Sequence, residues 1–546
     1  MSGPLDSLTV TAKTTLLEIL ESFKESKSDL LLVDERTVIT QPHLELLTDY
    51  PRSTSAALVA IVKNGNTLAR QNRIASASSA SHKVTVGNRD FVGALRLSKK
   101  QSESIIPAIE SAVTYKAKGN ALDLLLVALV RATVRVDAVD VLGAPWSRSD
   151  NQDEREQVRS EIKSLNIATL RLRMANRAND GFFSVFFLRK FSKILTWVAV
   201  KIGATPNQVT LLSFAIGLYS AYSFSRGTFL SILLGAFLLQ LSIIVDCVDG
   251  ELARYTRKFS KLGAWLDAVT DRVKEYLVFL GLAYGASLEG RSLWIPAMAM
   301  MIIQTFRHLS DYNFAQSVKI RAEEKFETPI DFMAEFDGII PTEREPKGRL
   351  RYWLGKIIQF PIGERWLVIS VSAVIGGAAF TFTIMPILAF ISAVVVYRGR
   401  IRRTKEMAKT SLNSSLITNQ SDLLGIKASF TKRASWIEPS ILRLLESLAL
   451  LAIFIQQDVL GIPSFILLFS IIFHHYDNLY RALQNEKKPI WLSALGFNVG
   501  GRILVIGAAL LAGVEITLIA YYFATIFLVV SSIQWVIGHK QNRIRR

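Results

Sequence analysis

From about position 205 onward the chain is built of apolar runs longer than an ordinary soluble core helix needs, Phe229 to Val245 being one. Crossing the hydrocarbon core of a bilayer takes about 20 apolar residues, and inside it only helices or closed barrels can satisfy the backbone. The composition agrees: 50% of the 546 residues are hydrophobic and 20% charged, with mean hydropathy +0.29. That apolar share excludes disordered and fibrous classes. One cysteine, Cys247, excludes an intrachain disulfide framework and a CxxC-type zinc site. The excess of 64 Lys+Arg over 46 Asp+Glu, net +18, is read as basic cytoplasmic loops facing anionic headgroups; nucleic acid is not an expected partner. The first ten residues, MSGPLDSLTV, lack the cationic start and apolar core of a signal peptide.

Hydropathy gives about ten spans. The first opens at Thr205-Pro206-Asn207, where proline at a helix start forfeits no hydrogen bond. Others begin near Thr228, Ala264, Leu293, Trp366, Pro386, Ile441, Pro463, Ile490 and Val514. A charged insert from Asp311 to Arg365 follows the fourth, and a polar connector over 405–440 follows the sixth. Basic clusters fall on every second loop, among them Arg254, Arg257, Lys258 and Lys261, then Arg398 to Lys405, then Arg481, Lys487 and Lys488, then His539 to Arg546. That alternation places both termini in the cytoplasm. Phe182 to Gly203 mixes aromatic and aliphatic residues with Arg189, Lys190, Lys193 and Lys201, the pattern of an amphipathic helix lying in the interface.

Residues 1–180 read differently. Asp29 to Asp34, Ala56 to Val62 and Val134 to Val141 are strand candidates, with helical patterns over Ser102 to Lys116 and Ala121 to Ala132. Alternation of this kind predicts an open, mostly parallel sheet. Ser149 to Glu161 is charged throughout, a linker or a solvated helix. The expected fold is therefore a mostly α-helical polytopic membrane protein, six of its spans forming a catalytic core over 205–404, with an N-terminal soluble α/β domain over 1–180. An interfacial helix over 181–204 and an accessory four-helix region over 441–546 complete it.

One stretch carries chemistry: Asp246-Cys-Val-Asp249-Gly250-Glu-Leu-Ala253-Arg254, then eight residues, then Gly263-Ala-Trp-Leu-Asp267-Ala-Val-Thr-Asp271. Asp246 and Asp249 are three apart and Asp267 and Asp271 four apart, so each pair shares a helical face. Carboxylates at the rim of a membrane helix are costly without a partner. Four of them facing one another call for divalent cations, and hard oxygen ligands suit Mg²⁺ or Mn²⁺, which keep positions open for water and phosphate. Gly250 and Gly263 leave room beside them. Ion pairing of these aspartates with Arg254, Arg257 and Arg272 is the plainer reading, and it leaves both glycines without a purpose.

The pattern resembles the signature of the CDP-alcohol phosphotransferases, DxxDGxxAR, eight residues, GxxxDxxxD. All eight specified residues are present, which chance would produce on the order of 10⁻¹⁰ times per start position. The resemblance covers roughly Lys190 to Thr404. It implies a membrane enzyme that moves a phosphoalcohol group from a CDP-alcohol, such as CDP-diacylglycerol, to an acceptor hydroxyl and releases CMP. It further implies two Mg²⁺ or Mn²⁺ ions on Asp246, Asp249, Asp267 and Asp271, with Asp271 as the base. Gly250, Arg254 and Ser260 would contact the CDP moiety, and Ala253 and Gly263 would give it room. The expected partners are a CDP-alcohol lipid, an acceptor alcohol of the inositol phosphate or polyol phosphate kind, membrane lipids and a second copy of the chain, at the cytoplasmic membrane with the active site inside. The competing class is a transporter or scaffold that kept a degraded core; it predicts losses from the signature.

Weaker signals stand beside this one. Arg307, with Asp311 one turn on, is either an acceptor-phosphate ligand or an anchoring cation paired with that aspartate, and Arg365 has the same two readings. His474-His475-Tyr476-Asp477 is expected to cap the end of the eighth span. The N-terminal domain is similar to the nucleotidyltransferase domains fused to some inositol-phosphate-using members. It lacks their glycine-rich phosphate loop, Gly3 being the one glycine in residues 1–30, which implies a domain without catalysis.

Overall fold

The computed structural model describes residues 5–49, 54–70, 73–80, 82–115, 119–175, 181–326, 349–407, 436–483, 489–497 and 499–544. Most of the expected polar connector, the middle of the insert after the fourth span, and Lys487 and Lys488 lie outside the described residues. Two compact units emerge, residues 1–179 with 318–345, and residues 180–317 with 346–546.

The first unit holds strands β1 (Asp6–Val10), β2 (Leu30–Asp34), β3 (Thr37–Val38), β4 (Ser55–Ile61), β5 (Thr67–Arg70), β6 (Arg73–Ala77), β7 (Arg89–Leu97), β8 (Val136–Asp140) and β9 (Ser147–Arg148). Its helices are α1 (Leu16–Glu25), α2 (Gln41–Asp49), α3 (Ser102–Thr114), α4 (Ala121–Arg131), α5 (Gln152–Ser164) and α6 (Ile167–Met174). Seven strands form one sheet in the order β1-β2-β7-β4-β8-β6-β5. The expectation of a mostly parallel sheet is corrected here. Only β1–β2 and β4–β8 pair in parallel, and β7 runs antiparallel to both of its neighbours, β2 and β4. Both faces are covered. Ala57 and Val59 of β4 pack with Ile19, Phe23, Ile109 and Leu125 of α1, α3 and α4, while Ala56, Leu58 and Ala60 pack with Leu47 of α2. Double coverage is why the strands read as unbroken apolar runs. Helix α5 buries no residue, so the charged stretch near 150 is a solvated helix.

The second unit is helical: α7 (Arg189–Lys201), α8 (Pro206–Ser225), α9 (Phe229–Thr256), α10 (Lys261–Leu288), α11 (Trp294–Phe326), α12 (Arg349–Ile358), α13 (Ile362–Met407), α14 (Glu438–Gln456), α15 (Ile462–Leu483), α16 (Ile490–Leu495), α17 (Val499–Leu511), α18 (Ile516–Ala524) and α19 (Ser531–Ile544). The expected apolar runs fall in these helices, but not one to one: the run from Ile490 divides between α16 and α17, and the run from Val514 between α18 and α19. Among the described residues three helices are long and apolar enough to cross a membrane, Phe229–Thr256, Ile362–Arg402 and Ile516–Gly538. The protein is thus a polytopic helical membrane protein with an N-terminal α/β domain.

Three details refine the reading from sequence. The fifth and sixth expected spans share the long element α13, which breaks at Gly376-Gly377, where Gly377 has φ +66°; Pro386 lies within the second half instead of opening it. Thr205 caps α8 through a reciprocal bond with Gln208, with Pro206 in the first turn. In the expected interfacial segment Phe186, Phe187, Phe191, Ile194 and Trp197 are exposed as an amphipathic face requires. Arg189, however, is buried. It donates to Glu251 Oε1 at 2.6 Å, and Ser192 and Thr196 donate to the same carboxylate at 2.8 and 2.6 Å, which ties α7 to α9.

His43 in α2 is 1% exposed, and burial lowers its pKa to about 4. The unfolded chain takes up this proton near 6.5 and the folded domain resists it down to about 4. Stability is therefore lost as pH falls through that window, by up to about 3 kcal/mol. Hydrogen-exchange protection of β2, β4 and β7 should drop between pH 7 and 5, after correction for intrinsic rates, and drop less in His43→Gln. An equal drop in both proteins would assign the loss to other groups.

Candidate active site

A short turn joins α9 to α10, and α8 packs against both helices. Arg257 ends α9 in the left-handed region, φ +56°, and Ser260 opens α10 by accepting a hydrogen bond from Gly263 N at 2.9 Å. The turn lets Asp246 of α9 approach Asp267 and Asp271 of α10. One carboxylate oxygen each from Asp246, Asp267 and Asp271 lie within 4.8 Å of one another. Asp249 does not join that group. Its Oδ2 accepts a hydrogen bond of 2.5 Å from Thr210 of α8, and it is 5% exposed.

The sequence reading passed over a cation in the same place. Lys274 lies one turn beyond Asp271 on α10 and is 0% exposed. Its Nζ is 2.6 Å from Asp246 Oδ1 and 3.1 Å from Asp271 Oδ1, and it donates to Ser213 Oγ of α8 at 2.9 Å. The spacing of three from Asp271 was the available signal, because it places the lysine on the face that carries the carboxylates. Asp271 Oδ1 is buried, with the Lys274 ammonium as its charged neighbour.

The remaining expected residues find the following surroundings. A methyl group on Gly250 would stand 3.2 Å from the Arg254 guanidinium. At Gly263 it would stand 2.8 Å from Ser260 Oγ and 2.9 Å from Asn207 Oδ1, so that glycine already makes room for the helix cap and for the start of α8. Ala253 is half-buried on α9 between them. Arg365 is buried and forked onto Glu275, at 2.9 and 3.0 Å. Arg307 donates to the carbonyl of Gln359, while its other terminal nitrogen is buried without a hydrogen bond. The expected partner of Arg307, Asp311, pairs with Arg400.

The expected capping role of the His474 to Asp477 cluster is also corrected, because these side chains are internal. His475 bonds Glu446 at 2.8 Å, and the same glutamate takes Arg502 at 2.7 Å. Asp477 holds Arg481, Ser531 and Trp535. Tyr476 reaches α10, 3.2 Å from the Tyr276 hydroxyl, and Trp535 stacks on Trp265 of α10 with centroids 5.2 Å apart. The C-terminal helices thus buttress the helix that carries Asp267 and Asp271.

With this geometry in view, the comparisons are specific. Residues 203–341 match the family described as CDP-alcohol phosphatidyltransferase. The chain carries a CDP-alcohol phosphatidyltransferase domain. Residues 377–544 match a family of unknown function. Over 172 residues the chain is 33% identical to the "Bifunctional IPC transferase and DIPP synthase" of Thermococcus kodakarensis, covering 31% of this chain and 36% of that protein. Over 84 residues it is 37% identical to the "Archaetidylinositol phosphate synthase" of Pyrococcus horikoshii, 15% of this chain and 43% of that one. It is also 36% identical over 97 residues to the "Phosphatidylinositol phosphate synthase" of Streptomyces avermitilis, 17% and 38% of the two chains. The chain thus spans less than half the length of each of these relatives.

In the N-terminal domain the turn after β1, where a phosphate loop would lie, has its amides occupied. Thr11 N donates to Thr14 Oγ1, Ala12 N to Glu35 Oε1, Lys13 N to Thr11 Oγ1 and Thr15 N to Glu18 Oε2. Asp34 at the end of β2 is committed to Arg36, Arg148 and Asn120. Burial pushes its pKa up, but the bonds from Arg36 and the charge of Arg148 outweigh this and hold it at about 2.

Glu275 and Arg365 form a buried pair beside the site, and Arg272, at 3.6 Å from the same carboxylate, is too far to replace the two short bonds that Arg365 makes. Arg365→Met should destabilise the protein by about 3–5 kcal/mol, read as a fall in the melting temperature of the detergent-purified chain. The double variant with Glu275→Leu should recover most of it. A single variant that melts like wild type would show that the pair does not hold α10 to α13.

Proposed function

We propose that this domain transfers the phosphoalcohol group of a CDP-alcohol lipid to a hydroxyl of an inositol phosphate or related polyol phosphate, at the cytoplasmic face of the membrane. The observation that carries this reading is the convergence of Asp246, Asp267 and Asp271 on one point between α9 and α10, within the segment that matches the family. Three relatives whose names speak of inositol phosphate or IPC chemistry support the acceptor class. The basic loops support the cytoplasmic orientation.

The donor set fits a hard divalent cation. Three carboxylates, each with an oxygen within 4.8 Å of the other two, are the hard ligands that Mg²⁺ or Mn²⁺ prefers. Asp246, Asp267 and Asp271 would hold the ion, which when bound sets positive charge against the phosphate oxygens and the departing CMP. Arg254, across from Gly250, would meet the CDP phosphates as a bidentate donor. Asp271 would take the acceptor's proton as the acceptor oxygen bonds to phosphorus; the bond from phosphorus to CMP breaks and CMP leaves with the electron pair. Arg307, with one buried nitrogen unbonded, suits an acceptor phosphate better than Arg365, which Glu275 holds.

A second reading, a degraded core kept as a scaffold, is favoured by one observation, the lysine among the carboxylates. CMP release separates the two. It should require Mg²⁺ or Mn²⁺ and fall below detection in Asp246→Asn and in Asp267→Asn, whereas Asp271→Asn should retain part of its CDP-alcohol binding while turnover collapses. Near-normal turnover in Asp267→Asn would sink the metal assignment, and absence of CMP release by the wild-type chain with every polyol phosphate tried would favour the scaffold.

For the N-terminal domain we propose a role without catalysis, supported by the occupied amides of residues 11–15. The full chain should release no pyrophosphate from CTP with any sugar or polyol phosphate. Such release, surviving in Asp267→Asn, would assign the domain a nucleotidyltransferase activity instead.

A further inference from the structure

Lys274 does not sit among the carboxylates by default; the surrounding helices are shaped around it. A side chain at Gly217 of α8 would place its first carbon 2.6 Å from both Cγ and Cδ of Lys274, so the absence of a side chain there is what admits the lysine stem. Ser213 accepts from the ammonium and also lies 3.1 Å from Asp246 Oδ1, fixing both partners from the same turn of α8. The Trp366 ring stands 5.2 Å from Nζ, on the side supplied by α13. With 0% exposure and its stem enclosed, the ammonium has no second place to go.

We infer that Lys274 stands in for one of the two divalent cations expected of this signature, so that the site binds a single ion beside a fixed ammonium. The inference rests on the proposed function above, in which the cluster holds a divalent ion at all. Charge favours it. Asp246, Asp267 and Asp271 bring three negative charges, and one divalent ion with Lys274 brings three positive ones. Two ions with Lys274 would set five positive charges against those three, two in excess, in a medium where uncompensated charge is expensive. Asp249 is accounted for as well, since it holds Thr210 and stands outside the ion-binding group. Lys274 is on this view a positioning residue, an immobile counter-charge that keeps Asp246 and Asp271 together before substrate arrives.

The test counts ions. The full chain, purified in detergent and stripped of metal, is titrated with Mn²⁺ and the free ion followed by electron paramagnetic resonance. Wild type should bind one ion per chain, Asp267→Asn should lose it, and Lys274→Met, which keeps the stem and removes the charge, should bind two. Two ions in wild type would overturn the inference and leave the metal reading intact. No ion in wild type would overturn both. A single ion in folded Lys274→Met, or one that persists in Asp267→Asn, would also overturn the inference. If Lys274→Met does not fold, the wild-type count together with Asp267→Asn still decides.

Discussion

The structure of the membrane unit turns on one electrostatic constraint: several carboxylates must be held together at the ends of apolar helices. Asp246 and Asp271 come from two different helices, and the ammonium of Lys274 is the contact that joins them, 2.6 Å from one and 3.1 Å from the other. Ser213 and Gly217 on α8 close the third side, so three helices are fixed in register by one charged group. Satisfied in this way, buried polar groups specify a single arrangement; with any member missing, the same groups would repel.

Around that centre the other buried charges play a supporting part. Glu251 of α9 gathers Arg189, Ser192 and Thr196 and so docks the amphipathic helix α7, whose aromatic residues stay exposed. Glu275 ties α10 to α13 through Arg365. Tyr276 and Trp265 tie α10 to the C-terminal helices through Tyr476 and Trp535. Helix α10 is therefore held from several directions, which is what positioning two aspartates to within fractions of an ångström demands. This also gives the C-terminal region a physical role that its own sequence does not announce.

Much of this was legible in the sequence, for identifiable reasons. The aspartates and glycines of the signature are readable because their spacing is set by helical geometry within two short segments. The opening of α8 at Thr205-Pro206 is readable because capping is a local matter. Lys274 escaped because a lysine in the fourth turn of a helix carries no mark of being buried until Gly217, far away in the chain, is known to face it. Strand β7 was not legible at all, because Arg89, Asp90 and Arg96 interrupt its apolar residues, and it is this strand, antiparallel to β2 and β4, that makes the sheet mixed. His475 read as a helix-end residue because its partner Glu446 lies 29 positions away in the chain, and Arg502, which shares that glutamate, lies 56 positions from Glu446; only the folded bundle brings them together.

The most direct test of this account is the position of the cation itself. A structure of the chain with Mn²⁺, phased to show anomalous scattering from manganese, should contain one peak between α9 and α10, bounded by oxygens of Asp246, Asp267 and Asp271, with the Lys274 ammonium still in contact with Asp246. Two peaks with Lys274 displaced, or a peak away from these three aspartates, would contradict it.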